Sequence, residues 1–337
     1  MPVDPVRAIA DAILYEGYVL WPYRRSSLKN QQRWTFGGVF PPAHAASSPD
    51  DPCAMQTQCL LEGAGASELD VRVRFLHVVG RQALAQGPGG LEPVEELVVG
   101  EERHLSWEEA VEREVAVGPL RLDALGEAVS VAVEVAAGQE SEDVLDAQGR
   151  RGGVVLRSWR RLQGNVEVMA EALEPGLYRV TIRIVNSSQW TGGAREDALR
   201  QSFCSTHTVL RTQGAAFVSL TDPPPSHEAA AEACVNRGTW PVLVGVSGER
   251  GTLLSSPIIL SDYPEIAPES PGDLFDGGEI DQMLVLNILS LTDEEKREMR
   301  DSDPKTREIL ERTEALSDEE MLRLNGAIRD FGLARVR

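Results

Sequence analysis

Cys204 and His207 form a C-x-x-H pair, and Cys53 and Cys59 add two more sulfurs upstream. Thiolate and imidazole together suit zinc or iron, so Cys53, Cys59, Cys204 and His207 are the candidate metal ligands of this chain. Spacing argues against them. Residues three apart point to opposite faces of a strand, and Gln201 to Leu210 reads as strand, so Cys204 and His207 reach one metal only from a turn or helix. Cys53 and Cys59 are also further apart than the short loops of zinc fingers and ribbons allow, although Cys53 sits in a loop where geometry is free. The competing reading is reduced, mostly buried cysteine, since 4 cysteines are too few for a disulfide framework in 337 residues.

Hydrolytic chemistry has no better footing. Ser205 precedes Thr206 and His207 without a nucleophile elbow, and no G-x-S-x-G occurs. Gly37 with Gly38, and Gly63 with Gly65, lack the spacing of a phosphate loop and read as turn glycines. His77 alternates with apolar neighbours and reads as a hydrogen-bonded structural residue. No catalytic residue and no cofactor is expected on these grounds, and zinc or iron enters only through the Cys/His set.

A different chemistry gathers between Tyr15 and Phe40. Trp21, Tyr23, Trp34 and Phe36 lie among Arg24, Arg25, Lys29 and Arg33, with Glu16 as the acid of the stretch. Aromatic anchors that bury area, beside guanidinium forks that grip carboxylates, make an interface hot spot; the same residues could equally clasp acidic helices of their own chain. Stacking of single-stranded bases is disfavoured by the overall field.

That field is strongly negative. The formal net charge is -20, Lys occurs only at Lys29, Lys296 and Lys305, and acids crowd residues 85–150 and 262–337. A surface of this sign repels nucleic-acid phosphates and anionic lipid, so no nucleic-acid partner is expected. The first residues lack a basic start followed by a long apolar run, and no run of apolar residues is long enough to span a bilayer. The expectation is a cytoplasmic protein without a membrane span.

The elements that must position these residues follow from periodicity. Val6, Ile9, Ile13 and Leu14 fall at helical spacing after Asp4 and Pro5. Two-residue alternation runs through Leu69 to Phe75, Val129 to Val135 and Tyr178 to Val185, and apolar runs recur at Val154 to Leu156, Val166 to Met169, Thr208 to Leu220, Pro241 to Val246 and Leu253 to Leu260. Gly248 to Gly251 reads as a hairpin turn, Glu228 to Ala233 as a short helix, and Glu108 to Val115 fits either helix or strand. From Asp276, Thr292 and Ser317, each followed three residues later by Glu, and from Asp303 before Pro304, four helix starts are expected. The fold class is therefore α+β, mainly β: an antiparallel β-sandwich or open barrel with a short N-terminal helix and several short C-terminal helices. Residues 1–57 form an N-terminal segment packed on the core, 58–261 the β-rich core, and 262–337 a proline-rich linker with a helical appendage.

The run YEGYVLWPYRRSSLKNQQRWTFGG from Tyr15, with SSPIILSDYPEIAPESPGDLFDGGEID and LTDEEKREMRDSDP, resembles an uncharacterised family of bacterial proteins associated with NiFe uptake hydrogenase gene clusters. The likeness runs nearly end to end and brings no catalytic motif. It implies a non-enzymatic accessory role in biogenesis, assembly or tethering of the hydrogenase, with a hydrogenase subunit or a maturation protein as partner. Two alternatives stay open: a metal-binding protein or enzyme built on the Cys/His set, and a β-sandwich that binds a small molecule.

Overall fold

The computed structural model describes residues 5–15, 36–265, 285, 287–302 and 304–317. They fall into two units, one holding residues 5–15 and 36–265 and the other residues 285–317.

The first unit is organised by one strand, β1 (Ala54–Gly87), which begins within the segment read as N-terminal and runs on for 34 residues. Its first stretch pairs with β10 (Leu177–Asn186), from Ala54↔Val185 to Glu62↔Leu177. Its middle pairs on one side with β11 (Cys204–Val218) and on the other with β5 (Trp107–Arg121). Its last residues pair with β8 (Arg151–Trp159) and β2 (Gly90–Val94). Every ladder is antiparallel. The change of partners turns on a bulge between Gly63 and Glu68, where β11 contributes Gly214 at φ +78°. There the Ser67 hydroxyl donates to the Gly214 carbonyl at 2.7 Å. A bulge of this kind lets one strand pass between the layers of a folded-over sheet.

Around β1 the strand order is β12 (Trp240–Leu243), β13 (Thr252–Ser256), β11, β1, β10, β9 (Leu162–Glu174) and β6 (Val129–Val135). The hairpin of β3 (Glu96–Val99) and β4 (Glu102–Leu105) and the pairing of β7 (Gly138–Leu145) with β8 complete the strands of this unit. Valines and isoleucines at alternate positions of β6, β9 and β10 pack in one cluster with Leu69, Val71, Val73 and Phe75 of β1 and Leu210 and Phe217 of β11. The alternation read from sequence thus builds a sandwich-like antiparallel core. Glu108 to Val115 resolves as strand, because its partner is the continuous middle of β1.

Among the described residues four α-helices dress this core. Helix α1 (Pro5–Tyr15) lays Val6, Ile9, Ala10 and Ile13 on Val209, Val242, Val244 and Leu254, the sheet face opposite the main cluster. After α2 (Pro42–Ala45), α3 (Arg195–Leu199) leads into β11, and α4 (Glu228–Glu232) covers Leu60 and Leu177 through Ala230 and Ala231.

The second unit contains α5 (Asp293–Ser302) and α6 (Pro304–Glu314). The capping box expected at Thr292 forms: the Thr292 backbone N–H donates to Glu295 Oε2 at 2.9 Å, and the Glu295 N–H donates to Thr292 Oγ1 at 3.3 Å. Pro304 opens α6 as read, and Lys296 and Arg300 of α5 meet Glu314 of α6 at 3.3 and 3.1 Å. The starts expected at Asp276 and Ser317 depend on Glu279 and Glu320, outside the described residues.

Candidate functional site

On the face of the sheet that carries α1, Asp70, Arg72 and Arg74 follow one another at alternate positions of β1. Arg211 of β11 stands directly opposite Asp70, Val209 opposite Arg72, and His207 opposite Arg74. Directly opposed residues share a face, so guanidinium groups from two strands converge beside the helix. Helix α1 supplies a further one, Arg7, and β5 supplies Glu114. Together they line a cavity of about 300 Å³ floored by Val6, Ala10 and Val209.

Most of the charges in this groove are paired with one another. Arg74, with only 8% of its side chain exposed, donates through Nη2 to Asp11 Oδ1 at 2.6 Å and to Glu112 Oε2 at 3.3 Å. The Tyr15 hydroxyl donates to the other oxygen of Glu112 at 2.6 Å. Arg74 and Glu112 together tie the C-terminal half of the helix, through Asp11 and Tyr15, to β1 and β5. Arg72 donates from Nε to Asp70 at 3.0 Å and from Nη1 to Glu114 at 3.1 Å. Asp70 first, then Glu114, raise its pKa further and hold its charge. Arg7 is 71% exposed and lies 4.0 Å from Asp11. An arginine fork has five donors, and among the described residues those on the Arg72 Nη2 have no partner, so they can meet an incoming anion while its neighbours fix its orientation. The groove can bind a carboxylate or a phosphate against an apolar floor.

His207 lies on this same face, 0% exposed. Its Nδ1 sits 3.1 Å from the Ser205 carbonyl, so the ring proton is on Nδ1 and donates there, while Nε2 is buried with no partner among the described residues. Burial, with Arg74 adding to it, pushes the pKa down to about 4, and the ring is neutral at physiological pH.

The Cys/His set is not assembled. Cys59 is buried on the core side of β1, in register with Val180, whereas Cys204 is buried at the start of β11, in register with Leu76. Burial, and next the nearby Cys234, raise the Cys59 pKa and keep it a thiol. Cys53 is half-buried in the turn before β1. Among the described residues no group of three or more His, Cys, Asp or Glu side chains is placed to hold a metal ion. Spacing is not the reason for Cys204 and His207: a bulge at Ser205, φ +50°, sets them opposite Leu76 and Arg74 on one face of the sheet, while β1 carries Cys59 into the core layer with Val71 and Phe75. His77 is also buried, and among the described residues neither ring nitrogen makes a hydrogen bond of normal length and angle; burial and then Arg113 lower its pKa to about 4, with the backbone of Arg160 acting the other way.

Of the aromatic and basic cluster, Trp21, Tyr23, Arg24, Arg25, Lys29, Arg33 and Trp34 lie outside the described residues. Phe36 is 42% exposed, and its carbonyl accepts from the Ser205 N–H at 3.1 Å, beside the isolated bridge Val39↔Phe203. Sequence reasoning passed over Arg7, Arg72, Arg74 and Arg211. The visible signal was a strand face alternating Asp70, Arg72 and Arg74; only the ladder shows that Arg211 joins it.

Among the described residues no helix is long and apolar enough to cross a membrane. Compared with protein-family models, with curated proteins and with solved structures, the chain matches none.

Proposed function

We propose that this protein is a non-enzymatic accessory protein that binds partner proteins in the biogenesis, assembly or tethering of a NiFe hydrogenase, and that the groove beside α1 takes an acidic side chain or chain terminus of that partner. One observation carries the binding part: Arg7, Arg72 and Arg211 converge in a concave, part-apolar site on a chain of net charge -20. Elsewhere the field repels an acidic partner, so guanidinium groups already oriented by Asp70, Glu114 and Asp11 fix where it docks. The hydrogenase context rests on the family resemblance, which favours a hydrogenase subunit or a maturation protein. A second reading is favoured by the cavity volume of about 300 Å³, which is small-molecule sized: the groove then holds a free carboxylate or phosphate compound.

The test is a tagged pull-down from the organism that carries the gene, grown on hydrogen, comparing wild type with the Arg72→Glu, Arg211→Glu double variant. Hydrogenase subunits or maturation proteins recovered with wild type and lost with the variant support the proposal. Equal recovery with both moves the interface elsewhere, and no hydrogenase protein with either removes the hydrogenase role. An anionic compound carried through purification by wild type alone establishes the small-molecule reading.

A further inference from the structure

The sheet ends at β6, whose sequence is Val-Ser-Val-Ala-Val-Glu-Val from Val129 to Val135. Its inner edge pairs with β9 along its whole length, Val129↔Val168 to Val135↔Leu162. Among the described residues no backbone group pairs with its outer edge. Val129, Val131 and Val135 belong to the core face yet are only half-buried, because among the described residues no strand extends the sheet beyond them.

Natural sheets blunt such an edge, and the other edge strands of this same sheet are blunted. Strand β12 is 4 residues long, contains Pro241, and is covered where Asp262 accepts from the Leu243 N–H and the Tyr263 N–H donates to the Leu243 carbonyl. Strand β2 contains Pro93, β5 carries Glu108, Glu109, Glu112 and Glu114, and β7 carries Glu140, Glu142 and Asp143. Strand β6 has no proline, glycine, bulge or lysine, and its single charge, Glu134, is near one end.

Its pattern is also self-complementary. In an antiparallel pair two opposed residues face the same way, so a two-fold axis through Ala132 aligns all 7 residues of β6 with a second copy. Val129 then meets Val135 and Val131 meets Val133 on the core side, extending both cores across the junction. On the solvent side Ala132 meets Ala132 and Glu134 meets Ser130, so no like charges oppose. The same alignment on β5 or β7 brings acidic strands together. We infer that β6 is a dimerisation edge, joining two copies of this chain into one continuous antiparallel sheet about a two-fold axis at Ala132. The inference is independent of the groove, which lies on β1, β5 and β11.

Because each copy is strongly acidic, long-range repulsion opposes the pair and salt screens it; the dimer tightens as ionic strength rises. Sedimentation of the full chain over a range of concentration and salt tests this, with Ala132→Lys and Ala132→Glu as variants at an exposed position. Wild type should be dimeric, each variant should weaken association by at least ~10-fold by setting like charges across the axis, and an equimolar mixture of the two should restore the dimer. Restoration also shows that both variants are folded. A wild type that stays monomeric at every concentration and salt overturns the inference, as does a dimer that neither variant weakens, and failure of the mixture to reassociate places the contact away from Ala132.

Discussion

Arg195 closes both arms of its fork on Asp51, Nε to Oδ2 at 2.9 Å and Nη2 to Oδ1 at 2.9 Å. His44 Nε2 approaches the same carboxylate at 2.9 Å, its ring stacked on Phe40 at 5.1 Å and edge-on to Trp190 at 5.2 Å. The guanidinium of Arg195 in turn lies 5.0 Å over the Phe40 ring. The stretch before β1 is thereby pinned to the start of α3, although no regular ladder joins them.

Replacing Asp51 by Asn should cost about 1–3 kcal/mol, since a part-buried, bidentate, charge-assisted pair is lost. Burial works to raise the Asp51 pKa, but the hydrogen bonds from Arg195 and His44 outweigh it and hold the carboxyl below its ordinary 3.8. The contribution is therefore complete above pH ~3.8 and fades as pH falls through the lower folded value. Urea unfolding at neutral pH and near pH 3 checks this: the gap between wild type and Asp51→Asn should narrow in acid, and a gap that stays constant would deny the charged pair its role.

Arg74→Met keeps the aliphatic stem and removes the cation between Asp11 and Glu112. Both acids are nearly half exposed and can rehydrate, so the cost should sit near ~2 kcal/mol rather than at the upper end for a broken buried pair. Hydrogen exchange is the sharper readout. Protection of the α1 amides should fall in the variant while that of β9 and β10 holds. If α1 protection is unchanged, the apolar contacts of Val6, Ile9 and Ile13 alone hold the helix.

His77 and His207 are both buried with pKa values near 4, against an ordinary value of 6.5. Below pH 6.5 the unfolded chain takes up protons that the folded chain refuses, so stability is full above that value and declines as pH falls toward 4. The slope approaches ~1.4 kcal/mol per pH unit for each histidine. His207→Gln should reduce the loss of stability between pH 7 and 5, measured by urea midpoints, whatever it does to stability at pH 7. An unchanged slope would mean that the buried ring titrates as it does in water.

The strands were legible because one face of each is buried, and burial on one face forces alternation into the sequence: Tyr178 to Val185 and Val129 to Val135 need no tertiary information to be read. Strand β7, Gly-Gln-Glu-Ser-Glu-Asp-Val-Leu, was invisible because its side chains are nearly all exposed and nothing selects an apolar face. The extent of β1 was hidden for the opposite reason. Its Gly63 to Ser67 bulge breaks the alternation in the middle, so one strand reads as a glycine turn followed by a new strand. The groove was the least legible part, since it depends on register: Arg211 stands opposite Asp70 only because β11 resumes its pairing with β1 past a bulge, and sequence spacing contains no trace of that.

The accessibility of the thiols separates the binding reading from the rival Cys/His site. Cys59 and Cys204 are fully buried, Cys53 and Cys234 half-buried. Thiolate is the reactive form, and burial raises the pKa of Cys59 and also of Cys234, where Arg179 only partly offsets it. Alkylation of the native protein followed by mass spectrometry should therefore mark Cys53 first and Cys234 more slowly. Cys59 and Cys204 should react only on the timescale of unfolding, at least ~100-fold slower than in denaturant, because a 0% exposed thiol reacts through opening of the surrounding core. Adding zinc should change none of these rates. If zinc protects Cys53 and Cys204 together, the ligand set is assembled in solution and the metal-site reading replaces the one proposed here.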